Sequence, residues 1–105
     1  MSAEAFNNMK LDFENINRAA LDALPVLLPR WLPDGQRRGH EYVVRNPTRN
    51  DRSIGSFSVN LKTGKWADFA DGAKGGDPIS LYAYLRRIRQ GEAARELARM
   101  LGVGS

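Results

Sequence analysis

Asp68, Asp71 and Asp77 fall within ten residues of one another, and carboxylates so placed can hold a hard cation such as magnesium. Each also has a plainer account, because isolated loop aspartates make turns and Asp77 stands immediately before Pro78, where a helix cap belongs. Among them runs Gly72-Ala73-Lys74-Gly75-Gly76-Asp77, a glycine-rich segment whose backbone N–H groups could face a phosphate. It lacks the spacing of a Walker phosphate-binding loop, and an aspartate at the helix cap repels a phosphate there, so a plain connection is the better reading. Nucleophilic and acid–base chemistry have less to work with. His40 is the sole histidine and has no evident nucleophile beside it. With no cysteine in the chain, disulfides, thiolate catalysis and thiolate-bound zinc are all excluded. No catalytic residue, cofactor or metal is assigned, and a non-catalytic chain is expected.

The basic residues give a stronger signal through their distribution. Sixteen Lys and Arg against 12 Asp and Glu leave a formal charge of only +4, yet residues 30–65 hold eight basic and three acidic residues. Arg30, Arg37, Arg38, Arg45, Arg49, Arg52, Lys62 and Lys65 are interleaved there with Trp31, Tyr42 and Phe57, and Trp66 follows at once. Cations that track phosphates, beside ring faces that stack on bases, are what a single-stranded nucleic acid requires. The competing reading makes the aromatics core and the arginines a solubilising face.

Those groups must be positioned by elements that the hydrophobic pattern outlines. Phe13, Ile16, Ala20 and Leu24 predict an amphipathic helix from Asp12 to about Leu24 that Pro25 ends or kinks, with residues 1–10 a flexible N-terminus. Val26 to Leu28 reads as a short turn stopped by Pro29, and Pro33-Asp34-Gly35 as a turn into the basic stretch Gln36 to Gly39. Glu41 to Arg45 predicts a strand and Asn46 to Ser53 a loop. From Gly55 to Leu61 the residues alternate, with Phe57, Val59 and Leu61 on one face and Ser56, Ser58 and Asn60 on the other. Lys62-Thr63-Gly64, with Gly64 at positive φ, then turns the chain into Lys65 to Phe69, completing an antiparallel hairpin. Asp77 and Pro78 start a helix with Leu81, Leu85 and Ile88 inward; Gln90-Gly91 breaks it, and Glu92 to Leu101 forms another that Gly102 stops. The expected fold is α+β: a small antiparallel, ribbon-like sheet over about residues 40–69, packed by an N-terminal helix and two C-terminal helices, with residues 11–103 as one domain.

Composition agrees with that scale. A chain of 105 residues with 42% hydrophobic and 27% charged residues suits one folded domain rather than a disordered tail or a coiled coil. The longest apolar run is broken by Pro25 and Pro29, well short of the roughly 18–20 residues a membrane helix needs. Met1 to Asn8 has neither the basic start nor the apolar stretch of a secretory signal, so a cytoplasmic location away from any membrane is expected.

Four segments read together are more specific: Asn46-Pro47-Thr48-Arg49, Gly55-Ser56-Phe57-Ser58-Val59-Asn60, Thr63-Gly64-Lys65-Trp66-Ala67-Asp68-Phe69, and Gly72-Ala73-Lys74-Gly75-Gly76-Asp77-Pro78-Ile79-Ser80-Leu81. Over residues 39–88 they resemble the N-terminal zinc-ribbon domain of bacterial, phage and plasmid DNA primases. That family opens with Cys-Pro-x-His, continues through a Pro-Ser-Phe-Ser-Val strand, and places Cys-x-x-Cys in a Gly-rich loop before Gly-Asp and a helix. Here the four ligand positions read Asn46, Arg49, Asp68 and Asp71. Asn and Arg are poor zinc ligands, so the resemblance implies a ribbon that has lost its zinc. If the four side chains still converge, Arg49 facing Asp68 and Asp71, assisted by Asn46, replaces the metal with charge-assisted hydrogen bonds; otherwise they diverge into solvent.

The resemblance implies a function as well: recognition of single-stranded template DNA by a non-catalytic module of a primase-like replication protein, encoded by a phage, plasmid or mobile element. The ending at Gly104-Ser105 suits an excised domain, with a primase or helicase domain as its fused partner. On this reading Arg37, Arg38, Arg45, Arg52, Lys62 and Lys65 meet phosphates, Lys74 joins them from the Gly-rich segment, and Tyr42 and Trp66 stack on bases. Phe57, Val59, Leu61 and Leu85 belong to the core. Two rival readings remain: a protein-interaction module that docks on a helicase or polymerase, and a stand-alone enzyme with a carboxylate-bound metal at Asp68, Asp71 and Asp77.

Overall fold

The computed structural model describes residues 12–44 and 56–103. Helix α1 (Phe13–Trp31) starts at Asp12, whose carboxylate accepts the Asn15 N–H at 3.0 Å. It neither ends nor breaks at Pro25; it runs through both Pro25 and Pro29 to Trp31, so the turn expected at Val26 to Leu28 is helical. Each interior proline removes a ladder hydrogen bond at a cost of about 3 kcal/mol. Both prolines lie on the exposed side, whereas Leu24, Leu27 and Leu28, and Leu32 just past the helix, are buried. Burial of one such side chain contributes about 1.5–3 kcal/mol, so four leucines outweigh two prolines and the helix follows the core.

Five strands follow in one antiparallel sheet whose spatial order is the chain order: β1 (Gln36–Arg38), β2 (Glu41–Val44), β3 (Phe57–Asn60), β4 (Trp66–Asp68) and β5 (Lys74–Gly75). The expected hairpin is β3–β4, closed by Asn60 N–H on the Lys65 carbonyl at 2.7 Å, with Gly64 at φ +81°. Its two outermost companions are additions to the sequence reading. The basic stretch Gln36–Arg38 pairs with β2, and Lys74–Gly75 lifts part of the glycine-rich segment into the sheet beside β4. Edge strands tolerate such polar composition because one side of their backbone faces solvent.

The register sorts the side chains. Tyr42 pairs with Val59 and Val59 with Trp66, while Val44 pairs with Phe57 and Phe57 with Asp68, which gives an inner face. On the outer face Gln36, Val43, Ser58, Ala67 and Lys74 form one row across all five strands, and Arg38, Glu41 and Asn60 a second. Leu24 and Leu28 from α1, Leu32 just past it, and Leu81 from the next helix pack on Tyr42, Val44, Phe57, Val59 and Trp66. The helices thus cover one side of the sheet.

Helix α2 (Pro78–Arg86) has the expected start, with the Asp77 carboxylate accepting the Ser80 N–H at 2.8 Å and Pro78 in the first turn. It closes at Arg87, which adopts a left-handed conformation at φ 58°. Gln90 and Gly91, expected to break the helix, instead open α3 (Gln90–Leu101), which Gly102 stops at φ 69°. Ala93, Ala94, Leu97 and Ala98 of α3 pack against Ile16 and Ala20 of α1 and Ile79 of α2. The Asn17 side chain bridges two helices by accepting the Ile79 N–H at 2.9 Å. No described helix is long and apolar enough to cross a membrane.

Candidate nucleic-acid interface

The outer face of the sheet is built by alternation. Lys65, Ala67 and Phe69 stand at every second position along β4 and its extension, so they project together, away from the helices. The Phe69 N–H donates to the Ser56 carbonyl at 2.8 Å, which continues the pairing one residue past β4. Phe69 is 69% exposed. With Glu41, Ser58 and Asn60 these residues line a shallow depression of about 270 Å³.

Glu41 lines that depression and is held in place. Ser58 Oγ donates to one carboxylate oxygen and Asn60 Nδ2 donates to the other at 3.0 Å. Asn60 is itself fixed, because its Oδ1 accepts the N–H groups of Lys62 at 2.8 Å and Thr63 at 3.0 Å in the β3–β4 turn. The turn occupies the amide oxygen, and the amide NH₂ is therefore left to face Glu41. Arg38 stands at one edge of the outer face, next to Gln36 Oε1 at 3.3 Å, and Lys74 stands at the other. At about 4.8 Å per strand spacing the five strands span roughly 19 Å between them.

Of the residues expected to contact nucleic acid, Arg38, Lys65 and Lys74 share this face and Lys62 sits exposed in the turn beside it. Arg37 is exposed but points to the helix side of the edge strand, with Nε donating to the Gly39 carbonyl at 3.2 Å. Arg45 and Arg52 lie outside the described residues. Tyr42 and Trp66 are corrected: both rings are buried, at 8% and 6% exposure, and neither offers a face to a base. The Tyr42 hydroxyl donates to the Leu32 carbonyl at 2.7 Å, and burial, with a smaller contribution from Asp34, pushes its ionisation above the ordinary tyrosine value. Trp66 stacks on Phe57, with centroids 5.8 Å apart, and its indole N–H reaches Ser80 Oγ at 2.9 Å. The outward ring is Phe69, which the sequence reading left unassigned. Trp66 and Phe69 are an odd number of positions apart, so on one strand only one of them can face the core, and the hairpin register with Val59 decides which.

Of the four positions that the resemblance aligns with zinc ligands, Asp68 and Asp71 are described, and they lie in a hydrogen-bonded turn. Asp68 is 1% exposed; its Oδ1 accepts the N–H groups of Ala70 and Asp71, both at 3.1 Å, and its Oδ2 accepts the Tyr84 hydroxyl at 2.7 Å. The backbone carbonyl of Asp68 also accepts the Gly72 N–H at 2.7 Å. Asp71 is exposed, its carboxylate 3.5 Å from the same hydroxyl. A carboxylate already committed to three donors, with Asn46 and Arg49 as the other members of the set, does not suit zinc. Asp77 is occupied as the α2 cap, and no group of three or more metal-ligating side chains occurs among the described residues. Asn46 and Arg49, and with them the expected ion-pair replacement, lie outside the described residues.

A second concavity, of about 420 Å³, lies between the helices and is lined by Arg30, Trp31, Tyr82, Leu85, Arg86 and Met100. The Trp31 and Tyr82 rings meet at 5.0 Å, and the Arg86 guanidinium sits 5.7 Å over the Tyr82 ring. The Tyr82 hydroxyl donates to Glu96 Oε1 at 2.8 Å, and burial followed by that carboxylate raises its pKa. No protein-family model and no curated protein matches this sequence, so the likeness to primase ribbons rests on the motif residues alone.

Proposed function

We propose that this chain is a non-catalytic module that binds single-stranded DNA across the outer face of its sheet, in the manner of the template-recognition domains of primases and as part of a larger replication protein. The observation that carries the reading is the grouping of Arg38, Lys65, Lys74 and the exposed ring of Phe69 on the side of the sheet that the helices leave uncovered. Cations at the two edges follow the backbone, and an aromatic face between them accepts an unstacked base, an arrangement that a stiff duplex cannot exploit. The motif resemblance supports the same conclusion independently.

The test is a fluorescence-anisotropy titration of a labelled single strand and its duplex over a series of salt concentrations. Binding should favour the single strand and weaken steeply with salt. The combined Lys65→Ala, Lys74→Ala and Phe69→Ala variant should lose at least about tenfold in affinity, since base–aromatic stacking alone contributes about 1–3 kcal/mol. Equal affinity for duplex, or unchanged binding by the triple variant, refutes the interface.

A second reading, a docking module for a helicase or polymerase, draws on the cleft between the helices, where Arg30 and Arg86 flank apolar surface and Met100 is 46% exposed. It requires partner binding that Met100→Glu abolishes and that Phe69→Ala leaves intact.

A further inference from the structure

A carboxylate on a face that is to meet phosphates is a liability unless it reads something, and Glu41 is held there by two neighbours rather than turned away. We propose that the depression around Glu41 is a nucleobase subsite that selects guanine in a single strand. The inference rests on the single-strand reading above and adds to it a base preference and the residues that impose it.

An ionised carboxylate only accepts, and its two oxygens together offer about four lone-pair directions. Ser58 Oγ and Asn60 Nδ2 use one on each oxygen, which leaves one on each for a ligand, and Glu41 lines the depression. A base edge that fits must therefore present two donors side by side. Guanine does, with N1–H and the N2 amino group adjacent on its Watson–Crick edge. Adenine and cytosine each set one amino group beside a ring-nitrogen acceptor, and thymine sets one N–H between two carbonyls, so each of them brings a lone pair against the carboxylate.

The surroundings complete the subsite. The exposed Phe69 side chain, which lines the depression, supplies a stacking surface, and Lys65, which also lines it, supplies a cation for the nucleotide's phosphate. A volume of about 270 Å³ falls just below the usual range of small-molecule pockets, roughly 300–1,000 Å³, and suits one splayed base rather than an enclosed ligand. Asn60 is locked by the turn and Ser58 lies at the centre of the sheet, so the carboxylate is aimed before the base arrives.

The test uses thymidine oligonucleotides of one length that carry a single central guanine, hypoxanthine, adenine or cytosine, titrated against the whole chain by anisotropy at low salt. The guanine strand should bind about tenfold tighter than the adenine, cytosine and all-thymine strands, the discrimination expected of a bidentate contact. Hypoxanthine, which keeps N1–H and lacks the amino group, should fall between. Glu41→Gln preserves the shape and an acceptor for the Ser58 hydroxyl but loses the Asn60 bond, so it should melt somewhat below the wild type, still fold, and bring all strands to the thymine level. Phe69→Ala should weaken every strand alike. Equal wild-type affinity for all strands, or a guanine preference that survives Glu41→Gln, overturns the subsite and leaves single-strand binding standing. Failure to bind any strand overturns the single-strand reading itself, and the subsite with it.

Discussion

Asp68 stands at the corner where the resemblance puts a zinc ligand, and it organises that corner with hydrogen bonds to Ala70, Asp71 and Tyr84. Hydrogen bonds to a charged group contribute about 1.5–3 kcal/mol each, and removing the acceptor strands buried donors, so Asp68→Ala should cost about 3 kcal/mol or more. Tyr84→Phe, which removes one donor, should cost about 1–2 kcal/mol. Thermal melts check both, and a chelator should leave the wild-type melt unchanged, because oxygen–hydrogen contacts hold this turn where a ribbon would use metal bonds. Tyrosines provide the alkaline counterpart. Tyr42 and Tyr82 both have pKa values raised above 10.0, chiefly by burial. Below the unfolded value of about 10 both states keep the phenolic proton and the native advantage is intact; above it the unfolded chain ionises first, binds fewer protons, and stability falls until the folded phenols titrate. Melting temperature should accordingly decline as pH rises past about 10, and Tyr82→Phe should flatten the decline.

At the scale of elements, the connection that matters most runs between β4 and α2. Trp66 and Asp68 project inward two residues apart on the strand, about 6.6 Å, and Ser80 and Tyr84 lie four apart on the helix, about 6.0 Å. The two spacings match, so Trp66 reaches Ser80 and Asp68 reaches Tyr84 at the same time, at 2.9 and 2.7 Å. Phe57, Trp66 and Tyr84 fill the space between, with centroids 4.8 to 6.1 Å apart. Gly75 on β5 closes this clasp from the far side: a Cβ there would overlap the Trp66 indole nitrogen and Ser80 Oγ. Gly75→Ala should therefore destabilise by about 1–3 kcal/mol, as overpacking does, while Gly76→Ala, with nothing within 4 Å of its Cβ, should melt close to the wild type. Denaturant titrations of the pair separate local overlap from a general intolerance of alanine in the glycine-rich segment.

Over the whole molecule, the sheet has helices on one side and a basic, aromatic-bearing surface on the other. If Arg38, Lys62, Lys65 and Lys74 each neutralise one phosphate of a single strand, the logarithm of affinity should fall against the logarithm of salt with a slope near −3, at about 0.7 per contact. A slope close to zero would rule out phosphate contacts by these four residues. Local features of the sequence determined a good deal: the alternation of Phe57, Val59 and their polar neighbours, the Asp77-Pro78 start of α2 and the Gly102 stop of α3 each depend on a few adjacent residues, and the structure has them. Tertiary packing decided the rest. Pro25 and Pro29 remain helical because distant strands bury the leucines beside them, and Gln36–Arg38 becomes a strand because β2 offers an edge. The choice between Trp66 and Phe69 as the outward ring belongs to the same class. Sequence shows that the two must face opposite ways, but only the pairing of β4 with β3, fixed by burial of Val59 and Phe57 against α1 and α2, settles which one meets solvent.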